Sequence, residues 1–177
     1  YITPAGAEHS AGHAVPVEQL QLEKRVLLDP RVSFLALGLA SGAQSEIPSG
    51  GALTLQLDVR AAEKLEGLSI GYTIRHASGT TVCNGSSPLF ALEGAGDWRM
   101  QLALAKLELA PGNYDLALSL QRGALTDAKY LYDILFGAMS FRVSSARPDG
   151  STLPPWNAAW GQWLHHDASV LSMGRCS

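Results

Sequence analysis

The stretch "LELAPGNYDLALSL", residues 107–120, decides how this chain is read. Two apolar-alternating runs meet at a Pro-Gly corner, and a tyrosine stands two residues past the glycine. Leu102, Leu104, Leu107 and Leu109 lead in, with one slip of phase around Ala105 and Lys106. Tyr114, Leu116, Leu118 and Leu120 lead out on strict period two, with Asp115, Ala117, Ser119 and Gln121 between them. Period two buries one face and wets the other, the pattern of an antiparallel strand in a sandwich or barrel. Pro111 fixes φ and lacks an N–H, while Gly112 tolerates φ > 0, so the pair suits a turn and neither strand's interior.

A tyrosine opening the strand after such a turn matches the tyrosine corner of immunoglobulin-like sandwiches, where the hydroxyl bonds backbone a few residues upstream. The plainer alternative is a buried aromatic that merely starts a strand. Composition agrees with a sandwich. The chain has 177 residues, 46% hydrophobic and 16% charged, which makes one domain able to bury roughly 70% of its unfolded surface without staples. Low charge with 18 glycines suits a β-rich fold with many turns. A net charge of −3 leaves no basic footprint for nucleic acid or an anionic membrane. No apolar run approaches the ~20 residues of a membrane span, and no secretory signal pattern is present. The first residue is Tyr1, so the sequence reads as a fragment or a processed form. Cys83 and Cys176 are the only thiols. One disulfide is open to them, but Cys176 is penultimate, where tails fray, and two reduced thiols in a cytosolic protein are expected.

Residues 1–19, "YITPAGAEHSAGHAVPVEQ", read as a linker rich in Ala, Gly, Pro and His. Strands are predicted over 20–28, 32–39 and 53–60, and over "LSIGYTIRH" at 68–76. In the last, Leu68, Ile70, Tyr72 and Ile74 share one face and Ser69, Thr73 and Arg75 the other. "ASGT" turns that strand into 81–86 as a hairpin. "EGAGD" leads into a strand from Trp98, and a long loop, "RGALTDAKYLYDILFG", precedes a final strand near 138–143. The prediction is an all-β, antiparallel, immunoglobulin-like sandwich over 20–145, with helix only in short pieces. Its inward residues are Leu55, Leu57, Ile70, Tyr72, Ile74, Leu102, Leu116, Leu118 and Phe141. Residues 146–177 form a Trp-rich extension in which Trp156, Trp160 and Trp163 stand at i, i+4, i+7 after a Pro start. That stripe either caps the core or docks a partner, a homodimer contact being the expectation.

Catalytic constellations are hard to build. There is no G-x-S-x-G elbow and no P-loop, and "GAGDWR" fails the dinucleotide fingerprint at its third glycine. His9 and His13 have i, i+4 spacing but sit in the linker with two glycines. His165, His166 and Asp167 read as a solvated tail. No metal, no cofactor and no enzymatic activity are expected, although carboxylate pairs formed in space escape a sequence reading. What remains is a surface. Ser69, Thr73, Arg75, Asn84, Asp115, Ser119 and Gln121 point outward from their strands, an ordinary wet sheet face when taken singly. As a set, with Tyr130 and Tyr132 in the adjacent loop, they suit a glycan, which offers hydroxyls to polar side chains and C–H faces to rings. The glycan-binding residues expected are Thr73, Arg75, Asp115, Ser119, Gln121, Tyr130 and Tyr132.

Three segments carry a resemblance. "LSIGYTIRHASGTTVCNGSS" is similar to a characteristic hairpin, "LELAPGNYDLALSL" to an L-x-L-x-P-G-x-Y-x-L signature, and "FGAMSFRV" to a closing strand. Together, over residues 20–145, they resemble the C-terminal carbohydrate-binding domain of Wzt. Wzt is the nucleotide-binding subunit of ABC transporters that export O-antigen polysaccharide. The resemblance implies a cytoplasmic module at the inner face of the inner membrane that binds the finished glycan, often at its modified non-reducing end. It further implies an ATPase domain in the same polypeptide, a transmembrane permease as partner, and a homodimer formed by exchange of a C-terminal strand. The Trp-rich end departs from the family pattern, and no contact residue carries over by motif. The competing reading is an extracellular immunoglobulin-like module for adhesion or assembly that binds protein, which a Cys83–Cys176 disulfide would favour.

Overall fold

A computed structural model of the chain describes residues 2–4, 14–40, 45–124, 130–157, 159 and 161–163. Its strands, in chain order, are β1 (Ile2–Pro4), β2 (Val15–Pro16), β3 (Lys24–Leu27), β4 (Val32–Leu39), β5 (Glu46–Pro48) and β6 (Leu53–Ala61). They continue with β7 (Leu65–His76), β8 (Thr81–Ser86), β9 (Phe90–Leu92), β10 (Gly96–Leu104), β11 (Gly112–Arg122) and β12 (Tyr130–Ser144). One sheet runs β1-β10-β6-β4-β2 and the other β3-β12-β11-β7-β8, with β5 joining β12 and β9 joining β7. Apart from the parallel β5–β12 pair, the pairings are antiparallel.

Alternation builds the core between the sheets. Leu53, Leu55, Leu57 and Val59 of β6 face Leu116, Leu118, Leu120 and Ile74 of the second sheet's inner side, and all are buried. Every residue predicted to point inward is buried except Tyr72, which is partly buried against the core. Two readings need correction. The loop predicted before the final strand is mostly strand, because β12 begins at Tyr130 and pairs with β11 from Arg122 onward. Part of the stretch read as a linker lies within the fold: Val15–Pro16 pair with β4, and Val17 is buried at the start of a 3-10 turn, Val17–Gln19. Among the described residues no helix is long and apolar enough to cross a membrane.

The corner is a tyrosine corner. Tyr114 Oη donates to the Ala110 carbonyl at 2.7 Å in a buried setting, and its ring stacks on Phe141 with centroids 5.6 Å apart. The slip of phase seen in the sequence has a cause. Strand β10 stops at Leu104, and Lys106 takes a φ of 50°, the left-handed region. The chain then bonds across to a turn before β6: Leu107 N–H to Gly51 O, Gly50 N–H to Leu107 O, and Ser49 Oγ to Leu109 O at 2.8 Å. Gly112 is not left-handed as a turn glycine would be. A Cβ there would stand 3.1 Å from His76 Nε2, a tight approach for which the imidazole would have to give way by a few tenths of an ångström.

A polar clasp joins the sheets at the other end. The Asp133 carboxylate, fully buried, accepts from the Phe34 N–H at 2.9 Å and from Arg25 Nε and Nη2 at 3.2 and 2.8 Å. Arg25 Nη2 also donates to the Phe34 carbonyl at 3.1 Å. Both backbone groups of Phe34 are therefore satisfied by one ion pair from the opposite sheet. Phe34 stands where β4 has no strand neighbour on that side and just before a bulge at Phe34/Ala36.

Two predictions follow from these contacts. Tyr114→Phe leaves the Ala110 carbonyl buried without its partner and should cost about 1–3 kcal/mol in urea denaturation. Burial pushes the Tyr114 phenol up to about 12, above the ordinary 10.0. Its contribution is thus complete below the unfolded value and lost as pH rises through the folded one. The wild type should lose more stability than Tyr114→Phe between about pH 9 and about pH 12; parallel losses would refute this account. Separately, Asp133→Ala should destabilise by about 3 kcal/mol, because it takes the buried carboxylate from the Arg25 guanidinium and leaves the Phe34 N–H without an acceptor. The double variant Arg25→Met/Asp133→Leu should recover only the part due to the stranded charge, because it leaves both backbone groups of Phe34 without a partner.

Candidate functional site

The two sheets present different outer faces. On the first, charges sit directly opposite each other and cancel: Asp58 pairs with Arg99 at 2.8 Å and Arg60 with Asp97 at 2.7 Å, between β6 and β10. On the second, the outward residues of β7 and β11 fall in register. Arg75 lies opposite Asp115, Thr73 opposite Ala117, Gly71 opposite Ser119 and Ser69 opposite Gln121. The structure thus brings Thr73, Arg75, Asp115, Ser119 and Gln121 to one face.

A depression of about 210 Å³ lies in the middle of that face. Its floor is short-chained, Gly71 and Ala117 with Ser119 beside them; one wall is Thr73 and Asn84, the other Leu131, Ile134 and Phe136 of β12. Thr73 Oγ1 donates to Asn84 Oδ1 at 2.9 Å. Gly71 is dictated by close approach: a Cβ there would collide with Ser119 Oγ and press on the Gln121 amide. A charged bar closes one end. Arg75 on β7 is ion-paired with Glu23, just before β3, although β11 and β12 lie between them, so the pair spans those strands on the outside. Beneath it, Ser140 Oγ donates to Asp115 Oδ1 at 2.7 Å.

Three of the expected contact residues sit differently from their prediction. Gln121 is buried; its Oε1 accepts from Ser119 Oγ at 3.3 Å and its Nε2 has no hydrogen-bond partner. Tyr132 is 1% exposed, since β12 bulges between Leu131 and Asp133 and Tyr132 is the extra residue, so it cannot touch a ligand in this state. Tyr130 is exposed, but its hydroxyl donates to Asp29 Oδ2 at 3.0 Å, and Arg31 stands 5.6 Å from the centroids of both tyrosine rings. The hydrogen-bonded Arg31 guanidinium holds Asp29 down at about 2. Strand alternation sends this aromatic cluster away from Leu131, and the structure does not bring it to the depression. Of the other outward set, Ser69 is buried and donates to Gly123 O at 2.6 Å. Sequence reasoning missed the β12 wall altogether, because Ile134 and Phe136 had been read as loop.

A larger cleft of about 570 Å³ opens between the sheets, where β8 and β9 stand off from β10. Ile70, Tyr72, Leu102, Leu104 and Phe90 line it, with Cys83 in the wall and Trp163 at the mouth. Burial pushes the Cys83 thiol up, away from the reactive thiolate. Trp163 is half exposed and bridges to Leu109, while Ala110 N–H donates to Gln162 O, so this segment docks on the tyrosine corner. Trp156 Nε1 donates to Gly161 O at 2.8 Å. Trp160, the histidine pairs, Asp167 and Cys176 lie outside the described residues. Among the described residues no group of His, Cys, Asp and Glu is placed to hold a metal ion. The cleft is the larger hollow and sets Ser86, Ser87, Gln101 and Lys106 beside core leucines, whereas the depression lies on the face that carries Thr73, Asn84 and Ser119 and combines their hydroxyl and amide groups with an apolar wall.

Fold and face define a two-sheet β-sandwich with a ring-sized depression on one sheet. A family profile described as the Wzt C-terminal domain matches residues 31–153, and the chain belongs to that family. The crystal structure of the C-terminal domain of Wzt superposes with a TM-score of 0.64 at 11% identity, covering 85% of this chain and 88% of that one. At such identity the likeness speaks for the fold alone. The alkylpurine DNA glycosylase AlkC of Pseudomonas fluorescens, bound to DNA containing an abasic site analog, matches at TM-score 0.42 and 12% identity over 64% of this chain and 30% of its own. A β-glucosidase from Listeria innocua in complex with glucose matches at TM-score 0.37 and 12% identity, over 70% and 17%. Both scores are too low to carry an argument. No curated protein sequence matches the chain.

The orphan amide gives a direct check. Gln121→Met removes a buried, half-satisfied group while filling its volume, so its melting temperature should equal or exceed the wild type's. A loss above about 1 kcal/mol, the worth of a made hydrogen bond, would show that the amide is bonded. Gln121→Ala, by contrast, should destabilise by leaving a cavity.

Proposed function

We propose that this domain is a non-catalytic module that binds O-antigen polysaccharide and serves as the substrate-recognition part of an ABC exporter. Membership of the Wzt C-terminal domain family supports the exporter setting. The observation that carries the binding reading is the depression between Thr73, Asn84 and the β12 wall, with its pairing of polar donors and apolar surface. Sugars present the same pairing, hydroxyl edges and C–H faces. The Arg75–Glu23 bar supports recognition of a chain end, the non-reducing terminus, because it stops a polymer at one side of the face. That bar is partly exposed, and such pairs are worth only about 0–1 kcal/mol, so Arg75 turns to a ligand at little cost.

In this reading the glycan contacts Thr73, Arg75, Asp115 and Ser119, with Gln121 beneath them. Tyr130 and Tyr132 support the neighbouring end of the sandwich. The domain acts in the cytoplasm at the inner face of the inner membrane, joined to an ATPase domain of the same polypeptide and working with a transmembrane permease. It works as a homodimer, with Trp156 and Trp163 at or near the contact. Binding is shallow and wet, so affinity should be about micromolar to millimolar, or −8 to −4 kcal/mol. Weak binding suits a carrier that must release its cargo.

The test is calorimetric titration against a panel of bacterial O-polysaccharides. One polymer should bind, and Arg75→Ala and Ser119→Val should each weaken it several-fold with little change in melting temperature. If no polysaccharide binds, or the purified domain turns over glycan or nucleotide, the proposal fails. Capture of a protein ligand with no glycan binding would favour the adhesion-type reading.

A further inference from the structure

Resting on that reading, the composition of the depression points to the kind of sugar it takes. Every side chain lining it is uncharged: Thr73, Asn84 and Ser119 on one side, and Leu131, Ile134 and Phe136 on the other. The neighbouring charges lie outside the lining. Arg75 is held by Glu23, and Asp115 faces Arg75 across the β7–β11 ladder while accepting from Ser140. Lys24 stands beside Phe136 and Arg75 beside Thr73, both outside the lining, so an anion seated among the lining side chains would lose hydration with no cation against it.

The β12 wall is the unusual part. Ile134 lies opposite Ser119 and Leu131 opposite Gln121, on the outer face of the sheet, and Val26 of β3 lies beside Ile134 on its other side. Phe136 and Ile134 are partly exposed and Leu131 is exposed, so a continuous apolar strip faces solvent along one rim. Across the floor, on the next three strands of the sheet, stand the hydroxyls of Ser119 and Thr73 and the amide of Asn84. A volume of about 210 Å³ is below the roughly 300 Å³ of ordinary ligand pockets, so it admits one ring, not several.

We propose that this depression binds a single neutral 6-deoxyhexose residue, its C5 methyl and adjacent C–H face against Leu131, Ile134 and Phe136 and its ring hydroxyls toward Thr73, Asn84 and Ser119. A methyl carried directly on the ring continues the sugar's own C–H surface and so matches an unbroken apolar strip. A hydroxymethyl in its place would put an O–H against a wall with no partner for it. A carboxylate there would add a charge to the same deficit.

The experiment uses the ¹⁵N-labelled full chain and nine methyl glycosides. They comprise the 6-deoxy sugar, its hexose parent and its uronic acid in each of the gluco, manno and galacto series, in both enantiomeric forms where obtainable. In at least one series the 6-deoxy sugar should shift the amides of Gly71, Ala117 and Ser119 and bind about tenfold more tightly than its hexose parent, the range available to one group in an apolar site. The uronic acid should bind worst. Ala117→Leu, which fills the floor, and Phe136→Ser, which opens the wall, should each abolish the preference while retaining a dispersed spectrum. The proposal is overturned if no 6-deoxy sugar shifts these amides up to its solubility limit, if hexose and 6-deoxyhexose bind alike in every series, or if both variants keep the preference. An O-polysaccharide that binds this face without any such preference removes the inference and leaves the exporter reading intact; absence of all polysaccharide binding removes both.

Discussion

The two sheets are held together by apolar packing almost everywhere, but at one point their closure depends on a charge. Asp133 has no exposed surface, and its carboxylate is the acceptor for both the Phe34 N–H of one sheet and the Arg25 guanidinium of the other. A buried carboxylate is costly unless each oxygen is bonded. Here the same geometry that satisfies it also satisfies the free edge of β4, since Arg25 returns a donor to the Phe34 carbonyl. The arrangement works only if β12 enters the sheet with Asp133 pointing inward. That fixes the phase of the strand: with Asp133 and Leu135 inside, Ile134 and Phe136 must stand outside. An apolar strip on a solvent face is thus the counterpart of a carboxylate in the core.

The outer face inherits its character from that phase and from two places where side chains are missing. Gly71 and Ala117 lie in the centre of the face, and Gly71 is held there because Ser119 and Gln121 occupy the space a Cβ would need. Tall residues surround this low floor, and the Arg75–Glu23 pair crosses it at one end. On the other sheet's outer face Asp58, Arg99, Arg60 and Asp97 stand as opposed pairs.

Much of the architecture is legible in the sequence, for a physical reason. Where both faces of a strand obey period two, as in β6, β7 and β11, burial is written directly into the residue pattern, and the tyrosine corner adds a local signature that a single hydrogen bond confirms. The strand β12 resists such reading. It bulges twice against β11, at Leu116/Leu118 and at Leu120/Gln121, and the second, with Tyr132 as its one extra residue, resets the alternation. "YLYDILFG" therefore mixes buried and exposed apolar residues with a buried acid, and no fixed period describes it. The same phase shift explains why Tyr130 and Tyr132 look like partners of the sheet face and are not. Gln121 is a different case: its outward direction follows from alternation, but its burial arises from neighbours across the sheet, which only register supplies.

Strand β7 serves both hollows, as does its neighbour β8, whose Cys83 lines the cleft and Asn84 the depression. Ile70 and Tyr72 form part of the wall of the inter-sheet cleft, and the residues between and beside them, Gly71 and Thr73, form part of the outer depression. The two hollows are therefore back to back, separated by a partition one residue thick. A displacement of that partition along the sheet normal enlarges one hollow at the expense of the other. Whatever fills the outer hollow and whatever packs into the inner one press on opposite sides of the same short run of backbone, so their volumes are linked mechanically without any hinge or loop between them.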